Sequence, residues 1–266
     1  MENAIKNDWN KNSDKYYQNT INQGCYEIIS KNPECAFPAA IYPLLKKYLN
    51  EFHGKKILVP SSGDNIAAFG FNLLGADVTS CDIAENQLKN AQEIANQNNW
   101  EIKFIHQDSM ELDKIESNYY DLVYTSNGAH IWINDLVKMY KNFYRVLKHG
   151  GFNIFFETHP MSRPFDNSSY DVKITKHYAD VFVYANDDVP EYLWRTQDFV
   201  NAICTAGFVI KEMQEFHSVR EDLEAHNYLW ISEEHKNKHD WHGDTFDWHN
   251  NPWAALPQCL CICSQK

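Results

Sequence analysis

The alternation of short apolar runs with helical segments between residues 56 and 158 constrains the fold of this chain most. Apolar runs of strand length occur at 56–60, 78–81, 102–105, 122–124 and 152–157. Between several of them, apolar residues recur at helical spacing, and glycines stand where helices would end. Strands and helices that alternate at this spacing build βαβ units. The sequence therefore predicts an α/β fold with a doubly wound, mostly parallel sheet.

The segments outside this alternation are predicted to be additions to the sheet. Apolar residues from 38 to 53 follow helical spacing, and Gly54 stands where a helix would stop. After Pro160 the alternation breaks. Residues 172–184 are predicted to be extended but show no βαβ pattern, and a helix and two strands return only beyond residue 195. We expect one domain over residues 1–266, with a helical arm at 1–54, a ligand-binding core at 55–160, a cap insertion at 161–194, and the C-terminal half of the sheet at 195–266, which includes a His- and Trp-rich lid at 218–257.

The charge of the chain argues against one class of partner. With 24 Lys and Arg against 36 Asp and Glu, the formal net charge is −12. Surfaces that bind a phosphate backbone are usually basic. No apolar run is long enough to cross a membrane, and the N-terminus lacks the apolar stretch of a signal peptide. We expect a cytoplasmic protein without a nucleic-acid or membrane partner.

The seven cysteines form no CxxC pair. The last three alternate with apolar residues, as in a strand: Cys259, Cys261 and Cys263. We interpret them as small buried residues rather than as disulfide partners. His235, His239 and His242 approach a metal-binding spacing, but no further ligand completes the set, so no metal site is predicted.

The turn after the first predicted strand carries the strongest chemical signal. It contains Ser61, Ser62 and Gly63, whose small size lets a ligand approach the backbone. Asp82 follows Gly63 by 19 residues and ends the second strand. At this offset an acidic residue can bind the hydroxyls of a ribose. Alternatively, Gly63 is only a turn residue and Asp82 only caps the next helix.

The same turn favours a nucleoside ligand without a phosphate. Dinucleotides need a G-x-G-x-x-G turn that seats their pyrophosphate at a helix N-terminus. This turn has one glycine and places the carboxylate of Asp64 there. A carboxylate there would repel a pyrophosphate but would tolerate a ligand with a cationic end. S-adenosylmethionine is such a ligand, because it carries adenosine, a sulfonium and an ammonium group but no phosphate.

Five segments resemble motifs of the class I S-adenosylmethionine-dependent methyltransferases: 57–65, 81–88, 107–110, 120–127 and 143–151. The last, FYRVLKHGG, is the most specific and is similar to the R-V-L-K-P-G-G of the family. The first departs from the family pattern, with Val59 in place of an acid and with Ser61 and Asn65 in place of glycines. The resemblance spans about residues 55–217 and the last strand. It implies a seven-stranded Rossmann-like sheet, with S-adenosylmethionine as cofactor and S-adenosylhomocysteine as product.

The resemblance also implies which residues hold the cofactor. They are Ser61, Ser62 and Gly63 at the methionine part; Asp82 at the ribose; Ile83, Asp108, Ser109 and Met110 around the adenine; Ser126 and Asn127 beside the sulfonium; and Gln87 in the segment after the second strand. Together they make residues 55–160 a cofactor-binding core.

Two histidines are candidates for a general base. Methyl transfer is a direct displacement at an activated carbon, so alignment of the nucleophile supplies much of the catalysis. A base helps only when the acceptor arrives protonated. His130 follows the fourth strand and His159 follows the fifth, and imidazole titrates near neutral pH. For each histidine the alternative is a packing or capping role.

Aromatic residues of the added segments are the candidates for acceptor binding. Tyr17 in the arm, Trp132 after the fourth strand, and Trp248 and His249 in the lid are expected to line that site. The alternative is that the aromatic residues anchor these segments to the sheet. Trp9 in the arm can likewise face the sulfonium, which aromatic rings attract, or pack on the sheet.

We therefore predict an S-adenosylmethionine-dependent methyltransferase that acts on a small-molecule acceptor, since inserted caps suit an enclosed substrate. The leading alternative is a non-catalytic S-adenosylmethionine-binding or scaffold protein of the same fold. Another nucleoside chemistry, such as aminopropyl transfer, is a further alternative. A nicotinamide-dependent oxidoreductase is disfavoured by the single-glycine turn.

Overall fold

The computed structural model describes residues 2–126, 128–166, 172–184, 189–217 and 247–266. Helices and strands alternate as predicted through the first two thirds of the chain. The helices are α1 (Glu2–Asn22), α2 (Cys25–Lys31), α3 (Ile41–Leu49), α4 (Ile66–Leu73), α5 (Glu85–Asn98), α6 (Leu136–Val146) and α7 (Thr196–Thr205). The strands are β1 (Lys56–Pro60), β2 (Asp77–Asp82), β3 (Ile102–His106), β4 (Tyr120–Thr125), β5 (Leu147–Thr158), β6 (Phe182–Tyr184), β7 (Pro190–Tyr192), β8 (Val209–Phe216) and β9 (Cys259–Gln265).

Seven strands form one sheet in the order β3-β2-β1-β4-β5-β9-β8. The first five strands in this order pair in parallel, and β9 pairs antiparallel with both β5 and β8. This confirms the predicted doubly wound, mostly parallel, seven-stranded Rossmann-like sheet. From β1 the chain adds β2 and β3 on one side and then β4 and β5 on the other. The carboxyl ends of β1 and β4 therefore form the switch point where ligands of such folds bind.

The two faces of the sheet have separate apolar cores, because successive side chains of a strand point to opposite faces. In β1, Ile57 and Val59 pack toward α3 and α4, whereas Leu58 packs toward α6. The strand β9 follows the same rule. Its three cysteines are buried in the core on the side of α3 and α4, which confirms their interpretation as small core residues.

The arm before β1 is helical, as predicted, and it covers one core and one edge of the sheet. Phe37, which follows α2, is fully buried and packs against Phe71 of α4 and Tyr124 of β4. Helix α1 instead lies along α5, where Lys6 pairs with Glu85 and Asn10 bonds the backbone of Asn86. This contact carries the first half of α1 past the carboxyl ends of β2 and β3.

The cap insertion contains less strand than predicted. Its longest regular feature within the described residues is the hairpin of β6 and β7, whereas the sequence predicted extended structure over 172–184. Most of the predicted lid, residues 218–246, lies outside the described residues, as does the His235–His242 cluster. Among the described residues, no helix combines the length and apolar character needed to cross a membrane. The division into one domain with named parts stays a prediction.

Candidate functional site

The loop after β1 reaches a glycine-like conformation with a single glycine. Ser61, Gly63 and Asn65 all have positive φ, at 50°, 52° and 62°. Asparagine tolerates this left-handed region better than other residues that carry a Cβ. The space beside Gly63 is open, since a Cβ placed there would meet no atom within 4 Å. The loop therefore has open space beside its one glycine.

The buried side chain of Tyr17 in α1 holds this loop through two hydrogen bonds. The Tyr17 hydroxyl of α1 donates to the Gly63 carbonyl at 3.2 Å and accepts from the Asn65 amide at 3.0 Å. Burial raises the pKa of Tyr17 well above its usual value, so the hydroxyl keeps its proton. The Tyr17 side chain is only 3% exposed and does not line the cleft. This burial does not support its predicted place in the acceptor site, and its hydroxyl holds the loop instead.

The change Tyr17→Phe tests this support. It removes the two hydrogen bonds of the hydroxyl to the loop and leaves the ring in place, so we expect the affinity for S-adenosylhomocysteine to fall about 5- to 30-fold, since one net hydrogen bond contributes about 1 kcal/mol. Calorimetric titration measures it. The matched control is Tyr16→Phe, on the exposed neighbouring residue. Equal affinities for both variants and the wild type would contradict the supporting role.

Asp82, at the end of β2, orders the backbone on both sides of the cleft floor. One carboxylate oxygen accepts from Gly63 N at 3.1 Å and the other from Ala84 N at 2.9 Å. Burial raises the pKa of Asp82 to about 6, against the opposing effect of these backbone hydrogen bonds. The side chain lines the cleft, so an ionised carboxylate is presented to a ligand above pH 6.

This pKa predicts a pH-dependent affinity. As the pH falls through 6, Asp82 takes up a proton and loses acceptor capacity toward ribose hydroxyls. We expect S-adenosylhomocysteine to bind about tenfold more weakly at pH 5 than at pH 7, since each pH unit below the pKa leaves about a tenth as much carboxylate. The free energy of unfolding of the ligand-free protein changes in the opposite sense. Because folding raises the pKa of Asp82, this free energy falls as the pH rises from about 4 to about 6 and the carboxyl group ionises. Calorimetry from pH 5 to 8 checks the affinity, and Asp82→Asn should show a much flatter profile.

The loop after β3 contacts the loop after β1 beside the cleft. The hydroxyl oxygens of Ser61 and Ser109 lie 2.6 Å apart, which joins the two loops directly. Asp108 accepts from Met110 N at 2.8 Å and so forms a tight turn. The turn brings Asp108, Ser109 and Met110 to the cleft wall together.

These loops border an open cleft at the carboxyl ends of β1 to β4. Its lining includes eight predicted site residues: Ser61, Gly63, Asp82, Ile83, Asp108, Ser109, Met110 and Trp132. Five more residues complete it: Ile5, Trp9, Gly128, Ala129 and Ile133.

The other predicted cofactor residues do not line this cleft within the described part of the chain. Ser62 turns toward β2, where its hydroxyl accepts from Ser80 Oγ at 2.9 Å. Gln87 is fully buried against α1 and accepts from Ser13 Oγ at 3.0 Å. Ser126 is half-buried just beyond β4, and Asn127 lies outside the described residues. Direct contact of Ser62 and Gln87 with a ligand is therefore not supported.

Helix α1 contributes residues that the sequence did not single out firmly. Trp9 meets Trp132 edge to face, with ring centroids 5.7 Å apart, and both rings line the cleft. Ile5, one helical turn before Trp9, lines it too. The apolar residues of α1 are too sparse to mark a buried face, so no periodic signal separated Ile5 from the polar residues around it. For Trp9 the sequence allows either a place facing the cofactor or a packing role, and its ring lines the cleft.

Neither predicted general base presents a ring nitrogen to the cleft. His130 is 1% exposed; its Nδ1 lies 3.1 Å from Glu157 and its Nε2 lies 3.0 Å from the Tyr140 hydroxyl. His159 is also buried; its Nδ1 accepts from Met161 N and its Nε2 lies 2.7 Å from Glu215. These contacts favour the packing and capping alternatives over a base role.

The two predicted lid residues lie apart from the cleft. Trp248 is 58% exposed, and its ring stacks on His249 with centroids 3.8 Å apart. His249 in turn bonds Asp247 through Nδ1 at 2.9 Å. These contacts form a local surface cluster, and neither residue lines the cleft. The described part of the chain also holds no group of three or more His, Cys, Asp or Glu suited to a metal ion.

Comparisons with known proteins place this site in a class. Residues 61–151 match a family model described as a methyltransferase domain. An S-adenosylmethionine dependent methyltransferase from Mesorhizobium loti shares the fold, with a TM-score of 0.62 and 18% identity over 85% of this chain and 97% of that chain. No curated protein matches the chain significantly.

Two further structures show the range of this fold. Geranyl diphosphate C-methyltransferase from Streptomyces coelicolor A3(2), in complex with Mg²⁺, geranyl diphosphate and S-adenosylhomocysteine, gives a TM-score of 0.57 at 9% identity over 84% of this chain and 76% of that chain. The cyclase SpnF gives a TM-score of 0.53 at 15% identity over 86% of this chain and 80% of that chain. The fold is thus common to methyltransferases and to at least one cyclase.

The matched domain contains most of the cleft, including Asp82 and the loops after β1, β3 and β4. Residues 61–151 thus match a methyltransferase domain, and the whole chain has the Rossmann-like fold that S-adenosylmethionine-dependent methyltransferases share, as the sequence predicts. The roles of the single site residues stay predictions.

Proposed function

We propose that this methyltransferase acts on a small-molecule acceptor. The observation that carries the proposal is the shape of the cleft. Helix α1 forms one side of it with Ile5 and Trp9. Most of its other lining residues are small or apolar. Such a concave, largely apolar site with a few polar groups suits a small molecule better than the surface of a macromolecule.

The residues of the cleft fit S-adenosylmethionine. The open space beside Gly63 accommodates the methionine part, and the ionised Asp82 provides acceptors for the two ribose hydroxyls. Ile83 and Met110 offer apolar surface for the adenine, and Asp108 lies beside them for its amino group. These assignments follow the order of the strands along the sheet edge.

The cofactor supplies a methyl group that its sulfonium already activates. The acceptor nucleophile forms a bond to the methyl carbon while the carbon–sulfur bond breaks, and the electron pair of that bond stays on sulfur. An acceptor that began as a neutral N–H or O–H then loses a proton. The role of this chain is to align the two reactants, since proximity and orientation supply much of the rate enhancement. We assign no general base to His130 or His159.

Two further observations support a small acceptor. One structural neighbour, the geranyl diphosphate C-methyltransferase, holds a small molecule together with S-adenosylhomocysteine in the same fold. The formal charge of −12 disfavours RNA or DNA as acceptor. The predicted cytoplasmic location and the absence of nucleic-acid partners stay predictions.

The first experiment is calorimetric titration of the purified protein with S-adenosylmethionine and S-adenosylhomocysteine. We expect both to bind in the micromolar range. A panel of phenols, amines, quinones and carboxylic acids is then screened for formation of S-adenosylhomocysteine. Chromatography of the cofactor product distinguishes methyl transfer from aminopropyl transfer, which releases methylthioadenosine instead.

Each outcome has a separate meaning. Methylation of a small acceptor supports the proposal. Binding of the cofactor with methylation only of a protein or nucleic acid would overturn the small-molecule part. Binding of neither compound would favour the scaffold alternative.

A further inference from the structure

A buried chain of three polar side chains lies directly behind the loop that follows β4. Glu157 of β5, His130 of the loop and Tyr140 of α6 are each at most 1% exposed. Glu157 bonds His130 Nδ1, and Tyr140 bonds His130 Nε2. None of the three lines the cleft, but their neighbours Gly128, Ala129 and Trp132 all do.

Glu157 holds the backbone of this loop as well as its histidine. One carboxylate oxygen accepts from Gly128 N at 2.9 Å and from Thr158 N at 3.1 Å. The other accepts from His130 N at 3.3 Å. A buried carboxylate is costly unless its lone pairs are satisfied. Burial alone would raise the pKa of Glu157, but the bonds to His130 and Gly128 outweigh it and lower the pKa, so Glu157 is ionised at neutral pH.

Both ring nitrogens of His130 are occupied by buried partners. The ionised Glu157 carboxylate can only accept, so His130 Nδ1 donates to it. His130 Nε2 lies 3.0 Å from the Tyr140 hydroxyl, which keeps its proton because burial, with the nearby Glu157, raises the pKa of Tyr140 well above its usual value. Neither nitrogen is therefore free to take a substrate proton.

We propose that Glu157, His130 and Tyr140 are positioning residues that together set the loop after β4 against the cleft. The three side chains tie β5, the loop and α6 into one rigid unit behind Gly128, Ala129 and Trp132. The proposal rests on the proposed methyl transfer, because the same loop carries the positions expected beside the sulfonium. A displacement of about 1 Å at such a wall can slow a reaction about a hundredfold while ground-state binding changes little.

Four variants test the chain of contacts. Tyr140→Phe removes only the hydroxyl that bonds His130 Nε2, and Glu157→Gln replaces two acceptor sites by an amide nitrogen that repels a backbone N–H. His130→Asn keeps a donor near the position of Nδ1, whereas His130→Ala keeps none. The matched control is Tyr124→Phe, because the Tyr124 hydroxyl is equally buried but has no hydrogen-bond partner among the residues that the structure describes.

The first readout needs no acceptor. The protein is labelled with 5-fluorotryptophan, and the Trp132 resonance is identified by its loss in Trp132→Phe. We expect Tyr140→Phe and Glu157→Gln to shift or broaden this resonance and to leave that of Trp100, on the far side of the sheet, unchanged. Tyr124→Phe should leave both unchanged. An unshifted Trp132 resonance in folded Tyr140→Phe would overturn the proposal, even if Glu157→Gln fails to fold.

The second readout separates positioning from base catalysis, with an acceptor found in the screen above. We expect Tyr140→Phe and Glu157→Gln to lower kcat about 10- to 100-fold, with the affinity for S-adenosylhomocysteine within threefold of wild type. His130→Asn should retain at least tenfold more activity than His130→Ala. Equal loss in both histidine variants with an unshifted Trp132 resonance would make His130 a base and overturn the proposal. If the wild type binds no cofactor, the proposed function fails, while the Trp132 resonance still decides whether these residues set the loop.

Discussion

Replacement of Asp82 by alanine is expected to weaken the binding of S-adenosylmethionine about a hundredfold. The substitution removes the charged acceptor of the ribose hydroxyls, and hydrogen bonds to charged groups contribute about 1.5–3 kcal/mol each. It also leaves Gly63 N and Ala84 N without their partner, which loosens the cleft floor. Calorimetric titration at pH 7.5 measures the change.

The control for this prediction is Asp77→Ala, at the other end of the same strand. Asp77 pairs with Lys56 on the surface, where its side chain is 67% exposed, and it lies outside the cleft lining. We expect its affinity to equal that of the wild type. An Asp82→Ala variant that binds as tightly as Asp77→Ala would remove Asp82 from the ribose site.

Phe37→Ala is expected to lower the free energy of unfolding by about 3–5 kcal/mol. The ring is fully buried, its centroid lies 4.6 Å from that of Phe71, and it meets Tyr124 edge to face at 5.9 Å. Truncation of a buried phenylalanine loses its transfer free energy and leaves a cavity, and the typical cost has this size. Urea unfolding followed by circular dichroism measures the loss.

The matched surface change is Val209→Ala on β8, where the side chain is 61% exposed. We expect its effect to stay within about 0.5 kcal/mol. Similar losses for the two variants would mean that the helical arm before β1 is not packed into the core through Phe37. Because Phe37 lies far along the chain from β4, its loss also tests whether the arm and the sheet unfold together.

The strands of the parallel core were predictable because they are buried on both faces. Such strands read as short continuous apolar runs, and Ile57, Leu58 and Val59 of β1 are an example. The order of the last strands was not predictable, since β9 lies between β5 and β8 although it follows β8 in the chain. Pairing between distant segments leaves no local mark in the sequence.

Much of the cleft could be predicted for a related reason. Asp82, Ile83 and Asp108 follow parallel strands, and the carboxyl ends of such strands meet at one edge of the sheet. The contact of α1 with the rest of the molecule could not be predicted in this way. Its contact with α5 uses Lys6, Asn10 and Ser13 rather than an apolar stripe, so the sequence did not show that α1 would bring Ile5 to the cleft.

Local sequence therefore sufficed for the type and sequence of the core elements and for the backbone positions that border the cleft, because periodicity and turn chemistry act over a few neighbouring residues. It did not suffice for the direction in which a side chain at such a position points. His130 and Tyr17 stand in the places expected of ligand-facing residues, yet Glu157 with Tyr140 draws one ring inward, and Gly63 with Asn65 engages the hydroxyl of the other. These partners come from 10 to 48 residues away, and a buried polar group takes the direction in which its hydrogen bonds are satisfied.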